Sequence, residues 1–105
     1  MLVKNRIKKH QEFQEVIAKG ELVRSKFFTF YISENKLGYT RIGISVPKKS
    51  GTAVVRNKIK RQIRAMCAHN TDYSKSIDLV MIIKKAYNTD NFAEIEQDIQ
   101  EMFKK

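Results

Sequence analysis

Carboxylates are missing from the middle of this sequence: no Asp or Glu stands between Glu34 and Asp72. Inside that gap, residues 43 to 64 read GISVPKKSGTAVVRNKIKRQIR, with Lys48, Lys49, Arg56, Lys58, Lys60, Arg61 and Arg64 and no acid to offset them. A region cleared of carboxylates and filled with cations is arranged to meet a polyanion. Other absences narrow the field. Cys67 is the only cysteine, so an intramolecular disulfide and a cysteine-built zinc site are excluded, and a reducing compartment is expected. His10 and His69 are the only histidines and do not stand at ligand spacing. The acids fall mainly in the first and last helices, whereas a metal-dependent nuclease needs carboxylates clustered at its substrate groove. A histidine pair acting as acid and base is a weaker alternative still. The longest apolar run, residues 79 to 83, is far short of a membrane span. The start, MLVKNRIKKH, lacks the apolar stretch of a secretory signal. A soluble cytoplasmic protein without a membrane partner is expected.

What is present suits one domain over residues 1–105, with 42% hydrophobic residues to build a core and a net charge of +10 that favours an anionic partner. Phe13, Val16 and Ile17 recur at helical spacing over His10 to Lys19, and Gly20 follows as a stop, although the start lacks a capping side chain. Residues 4–9 are basic and expected to be extended. A short strand is expected at 22–24 and a firmer one at 26–33, where Phe28, Phe30 and Ile32 share one face and Phe27, Thr29 and Tyr31 the other. Residues 39–46 read as the next strand, with Ile42, Ile44 and Val46 opposite Arg41, Gly43 and Ser45. These strands suggest a sheet with one buried and one open face. Pro47, the only proline, stops the strand ladder. Thr52 can cap a helix over about 53–68. Residues 77–84 form a strand of near-continuous apolar character, and Asn91-x-x-Glu94 resembles a capping box for a last helix. The order is αβββαβα, an α+β pattern of two packed layers.

In the helix from Ala53, Val55, Ile59, Ile63 and Met66 share one arc. Arg56, Lys60 and Arg64 line up at i, i+4 and i+8, and Asn57 and Arg61 form a neighbouring row. Like charges four apart cost about 0.2–0.5 kcal/mol per pair. Phosphates would supply the missing counter-charge, with arginine forks matching their oxygens. Phe13, Tyr31 and Phe27 are candidates to stack on unpaired bases beside that helix.

The run Lys48-Lys49-x-Gly51-x-Ala53-Val54-x-Arg56-Asn57-x-x-Lys60-Arg61-x-x-Arg64 resembles the signature of the bacterial ribonuclease P protein component. Arg6-Ile7-x-Lys9, Glu12-Phe13, Phe28-x-x-Tyr31 and Gly43-x-Ser45-Val46 fit the same pattern. The resemblance implies a two-layer αβ sandwich like a ribosomal-protein domain, with a left-handed crossover through the basic helix where general rules favour a right-handed one. It implies a protein subunit that assists a catalytic RNA in removing the 5′ leader from precursor tRNA. The RNA and its bound Mg²⁺ perform the hydrolysis, with no organic cofactor and no catalytic side chain from the protein. Carried over, Lys48, Lys49, Arg56, Asn57, Lys60, Arg61 and Arg64 would face the RNA subunit. Phe13, Ile17, Tyr31 and Ser45 would line a groove for the leader. Ile17 stands where an aromatic is often found, so stacking there should be weaker. With the sequence ending at Lys105, contacts from the basic tail of some relatives are not expected. No metal ligand on the protein is identified, and the free protein is expected to be monomeric. The alternatives are a ribosomal protein or general RNA chaperone, and a stand-alone nuclease.

Overall fold

The computed structural model describes residues 3–104. Its elements are α1 (His10–Lys19), β1 (Glu21–Arg24), β2 (Phe28–Glu34), β3 (Arg41–Ser45), α2 (Ala53–Asn70), β4 (Ile77–Ile83) and α3 (Phe92–Phe103), with 3-10 turns at Val3–Asn5 and Lys48–Ser50. The strands form one sheet in the order β1-β2-β4-β3. β2 pairs antiparallel with β1 and β4, whereas β3 and β4 are parallel. A parallel pair cannot be joined by a tight turn, and α2 is the crossover that connects it.

Local chemistry explains where the elements depart from their expected ends. β2 begins at Phe28 because Ser25 closes a turn: its N–H donates to the Phe28 carbonyl at 2.9 Å, and its hydroxyl accepts from the Phe28 N–H at 3.2 Å. β3 begins only at Arg41 because Thr40 is committed elsewhere, its N–H to the Tyr73 carbonyl and its hydroxyl to the Lys75 carbonyl at 2.7 Å. α3 starts after Asn91 as expected, but the Asn91 side chain makes no capping bond, so the capping box does not form. The segment before α1 is not simply extended. It makes a 3-10 turn and then lays Arg6 beside Ile42 in a parallel bridge, with the Ile7 N–H donating to the Ile42 carbonyl at 3.0 Å.

The two faces of the sheet are packed unequally. Phe28, Phe30, Ile42, Leu79, Met81 and Ile83 meet Ile59, Ile63, Met66 and Cys67 of α2 and Ile95, Ile99 and Met102 of α3 in the main core. Cys67 is fully buried there, as a small core residue should be. Phe27 belongs to this core too. It is 2% exposed and its N–H donates to Asp98 Oδ2 at 3.2 Å. The turn at Ser25 places it before the strand and takes it out of the alternation that would have put it beside Tyr31. The opposite face is not simply open. Ile7, Val16 and Val80, with Phe13, Ile17, Tyr31 and Ile82, make a second, smaller cluster under α1.

Candidate nucleic-acid interface

Two surfaces carry the candidate residues, and strand register explains how they meet. Along the α1 face, cross-strand partners form rows. Tyr31, Val80 and Gly43 make one row, and Thr29, Ile82 and Ser45 the next, continued by Arg24 opposite Thr29. α1 lies over the first row. At its start, the Phe13 ring presses on β3 so closely that a Cβ added at Gly43 would stand 2.6 Å from Phe13 Cζ. At its end, a Cβ at Gly20 would stand 3.1 Å from the Ile32 carbonyl oxygen of β2. The helix therefore crosses from β3 to β2 and leaves the second row beside it. Thr29, Ile82 and Ser45 are half-buried, as are Phe13, Ile17 and Tyr31. The result is a lane across the sheet with a polar and apolar floor and an apolar wall. Thr29 and Ile82 were not singled out by sequence reasoning. The alternation of β2 and β4 could have found them once the pairing was known.

The second surface is α2. Gly51, at φ 145°, turns the chain out of the basic 3-10 turn in a conformation that L side chains rarely adopt. Thr52 then caps the helix, its Oγ1 accepting from the Val55 N–H at 3.3 Å. Ile59, Ile63 and Met66 are buried as their arc requires, but Val55, in the first turn of α2, is 40% exposed. Lys48, Lys49, Asn57 and Arg61 are exposed, while Arg56, Lys60 and Arg64 are half-buried. Asn57, Arg61 and Arg64 share a shallow outer cleft with Val54. The row of Arg56, Lys60 and Arg64 does not point straight away from the core. Its lower members turn towards the β3 edge.

There the two surfaces join. Arg6, Lys8, Lys60 and Arg64 line a pocket of about 360 Å³ with Phe13, Ile7, Ile42 and Ile44, and no carboxylate lines it. Arg6 enters through its bridge to Ile42. Burial lowers the pKa of the Arg64 guanidinium, and the charge of Arg6 lowers it further. The Nε atoms of Arg6 and Arg56 are buried and unpartnered. Among the described residues the ion pairs are Lys26 with Glu94 and Arg41 with Glu12 and Asp78, so no α2 cation is neutralised by an acid. Sequence reasoning assigned no role to Arg6 or Lys8, because nothing in the N-terminal sequence shows that it lies along β3.

No group of three or more His, Cys, Asp or Glu residues that could hold a metal comes together among the described residues.

The family model of ribonuclease P matches residues 1–105. The chain belongs to the ribonuclease P protein family. It is 39% identical to the ribonuclease P protein component of Clostridium kluyveri over 103 residues, covering 95% of this chain and 92% of that one. It is 43% identical to that of Mesoplasma florum over 98 residues, covering 91% and 89%. Its fold is similar to that of the Staphylococcus aureus RNase P protein, with a TM-score of 0.84 at 35% identity over 95% of this chain and 93% of that one. It is also similar to the Thermotoga maritima RNase P protein in complex with 1-(4-fluorophenyl)-2-thiourea, with a TM-score of 0.83 at 26% identity, covering 95% and 98%. As a ribonuclease P protein component, it is a subunit of the endoribonuclease that processes tRNA 5′ ends, and its partner is the RNA subunit of that enzyme. No helix among the described residues is long and apolar enough to cross a membrane.

Proposed function

We propose that this subunit holds the 5′ leader of precursor tRNA in the lane between α1 and the sheet while α2 and the preceding turn dock on the RNA subunit. The observation that carries this reading is the meeting of an unneutralised cationic helix with a half-buried aromatic lane at one pocket. Single-stranded RNA is held by such a pairing of stacking surfaces and backbone-tracking cations. Phe13 and Tyr31 offer π faces, Ile17 offers apolar contact, and Ser45 and Thr29 offer hydroxyls to bases or sugars. Lys48, Lys49, Arg56, Asn57, Lys60, Arg61 and Arg64 meet phosphates of the RNA subunit.

In this reading the RNA subunit breaks the bond. The α2 face presents cations and one amide, groups that bind phosphate but do not act as a general base near neutral pH. Mg²⁺ is held by RNA and substrate. The protein strengthens its binding indirectly, by fixing the precursor in place. The free protein is a cytoplasmic monomer.

Holoenzyme binding to precursor and mature tRNA tests the groove. Tyr31→Ala should weaken precursor binding by about 1–3 kcal/mol, the worth of one stacked base, and leave mature tRNA binding unchanged. Equal losses for both would place the leader elsewhere. Pure protein with precursor and Mg²⁺ should give no specific 5′ cleavage until the RNA subunit is added. Cleavage by protein alone would overturn the assignment of the chemistry.

A further inference from the structure

One ion network has no part in the RNA-facing surfaces described above. Arg41 of β3 donates through Nε to Asp78 Oδ1 at 2.9 Å and through Nη2 to Asp78 Oδ2 at 2.7 Å. Its Nη1 donates to Glu12 Oε2 of α1 at 2.6 Å. Asn35 completes the cluster, its Nδ2 donating to Asp78 Oδ1 at 2.8 Å. The three charged side chains are largely withdrawn from solvent, at 17% exposure for Arg41, 11% for Asp78 and 32% for Glu12. Arg41 and Asp78 are direct cross-strand partners, in the row next to Val80 and Gly43.

The placement of these groups bears on the lane. Glu12 precedes Phe13, and Arg41 stands two residues before Gly43 on the same face of β3. The ion pair from α1 to the sheet is therefore the immediate neighbour of the close contact between Phe13 and Gly43. α1 has no side-chain cap at Lys9 to fix its start. Beside the apolar packing of Val16 and Ile17, one charge-assisted bond and one ring-to-backbone contact tie the start of α1 to β3. They thereby set the spacing between the Phe13 and Ile17 wall and the floor at Ser45 and Ile82.

We propose that Glu12, Arg41 and Asp78 form a clamp that sets the width of the leader groove, making Glu12 and Arg41 positioning residues that act through Phe13. The proposal rests on the leader reading of the lane. It predicts an effect opposite in sign to simple electrostatics. Glu12 is a carboxylate beside a site for a polyanion, so Coulomb repulsion alone says that removing it should tighten RNA binding. The clamp says that removing it lets α1 shift and loosens leader binding. Glu12→Ala is also the gentlest way to open the clamp, because Arg41 keeps both bonds to Asp78 and no buried charge is stranded.

The experiment uses holoenzyme reconstituted with the RNA subunit and measures dissociation constants for precursor and mature tRNA, with Tyr31→Ala as the groove control. Glu12→Ala should lower the precursor-to-mature preference by about threefold or more, which converts to roughly 0.65 kcal/mol or more. Assembly with the RNA subunit should stay within about twofold. Glu12→Gln keeps an acceptor oxygen for Arg41 and should retain most of the preference. If Tyr31→Ala lowers the preference and Glu12→Ala leaves it unchanged or raises it, the clamp is wrong and the groove stands. If neither variant lowers it, the groove reading fails and the clamp fails with it. If Glu12→Ala weakens assembly as much as precursor binding, Glu12 supports the whole fold and is not a positioning residue.

Discussion

Arg41 and Arg64 are both half-buried arginines at the β3 side of the sheet, and the protein treats them in opposite ways. Arg41 is surrounded by acceptors: its hydrogen bonds to Asp78, and then to Glu12, raise its pKa above the ordinary arginine value, overcoming the effect of burial. Arg64 is surrounded by other cations: burial and the charge of Arg6 lower its pKa. An arginine whose charge is satisfied inside the chain contributes to architecture. An arginine pressed against like charges, with no acid in its pocket, is prepared for a partner that brings its own negative charge. Acids thus stand beside Arg41 and are withheld from α2.

The largest way to break the contrast is to remove the internal acceptor. Asp78→Ala should destabilise the protein by about 3–5 kcal/mol, since it strips a buried partner from Arg41, as read by urea denaturation. A loss below about 1 kcal/mol would mean that the network is ornamental. Next comes Gly43→Ala. Its Cβ would meet the Phe13 ring at 2.6 Å, and such overpacking costs about 1–3 kcal/mol. It should also reduce the precursor preference of the holoenzyme, because the ring must move off β3. Unchanged stability with unchanged preference would show that the ring has room the backbone geometry denies it.

A smaller effect sharpens the other half of the contrast. Lys60→Ala should leave stability equal or raise it by about 0.2–0.5 kcal/mol per relieved i, i+4 pair, while weakening RNA binding. A clear loss of stability would mean that Lys60 has a structural partner. The smallest effect lies at alkaline pH. Burial pushes the Cys67 thiol up to about 12, above an unfolded value of about 8.5. Above that value the unfolded state binds fewer protons than the native state. The contribution is therefore full below about pH 8.5 and is lost as pH rises towards 12. Burial raises Tyr87 to about 12 as well, and the neighbouring Cys67 adds to the shift. Cys67→Ala should flatten the decline in thermal midpoint between about pH 8.5 and 10.5. An equal slope would assign the decline to other groups.

The fold was legible in the sequence where the signal was local. Periodicity located the helices and the two middle strands, a continuous apolar run located the last strand, and Pro47 and Thr52 marked the strand stop and helix start. The ends that shifted were set by distant partners, such as Thr40 held by the loop before β4. Phe27 was misread because a side-chain bond from Ser25 breaks the alternation, and alternation alone cannot report a turn. The cationic helix was legible because composition is visible without coordinates. The pocket that joins it to the lane was not, since Arg6 and Arg64 are brought together by a bridge between segments far apart in sequence. The Arg41 network was hidden for the same reason. Glu12, Arg41 and Asp78 look like ordinary surface charges until β3 and β4 pair.

The salt dependence of assembly with the RNA subunit tests the central contrast most directly. Each phosphate contact removed from wild type should reduce the magnitude of the log–log slope by about 0.7–0.9. Arg61→Ala and Arg64→Ala should each show that reduction, while Arg41→Lys should keep the wild-type slope. Identical slopes for wild type, Arg61→Ala and Arg64→Ala, or a reduced slope for Arg41→Lys, would contradict the division between inwardly and outwardly satisfied arginines.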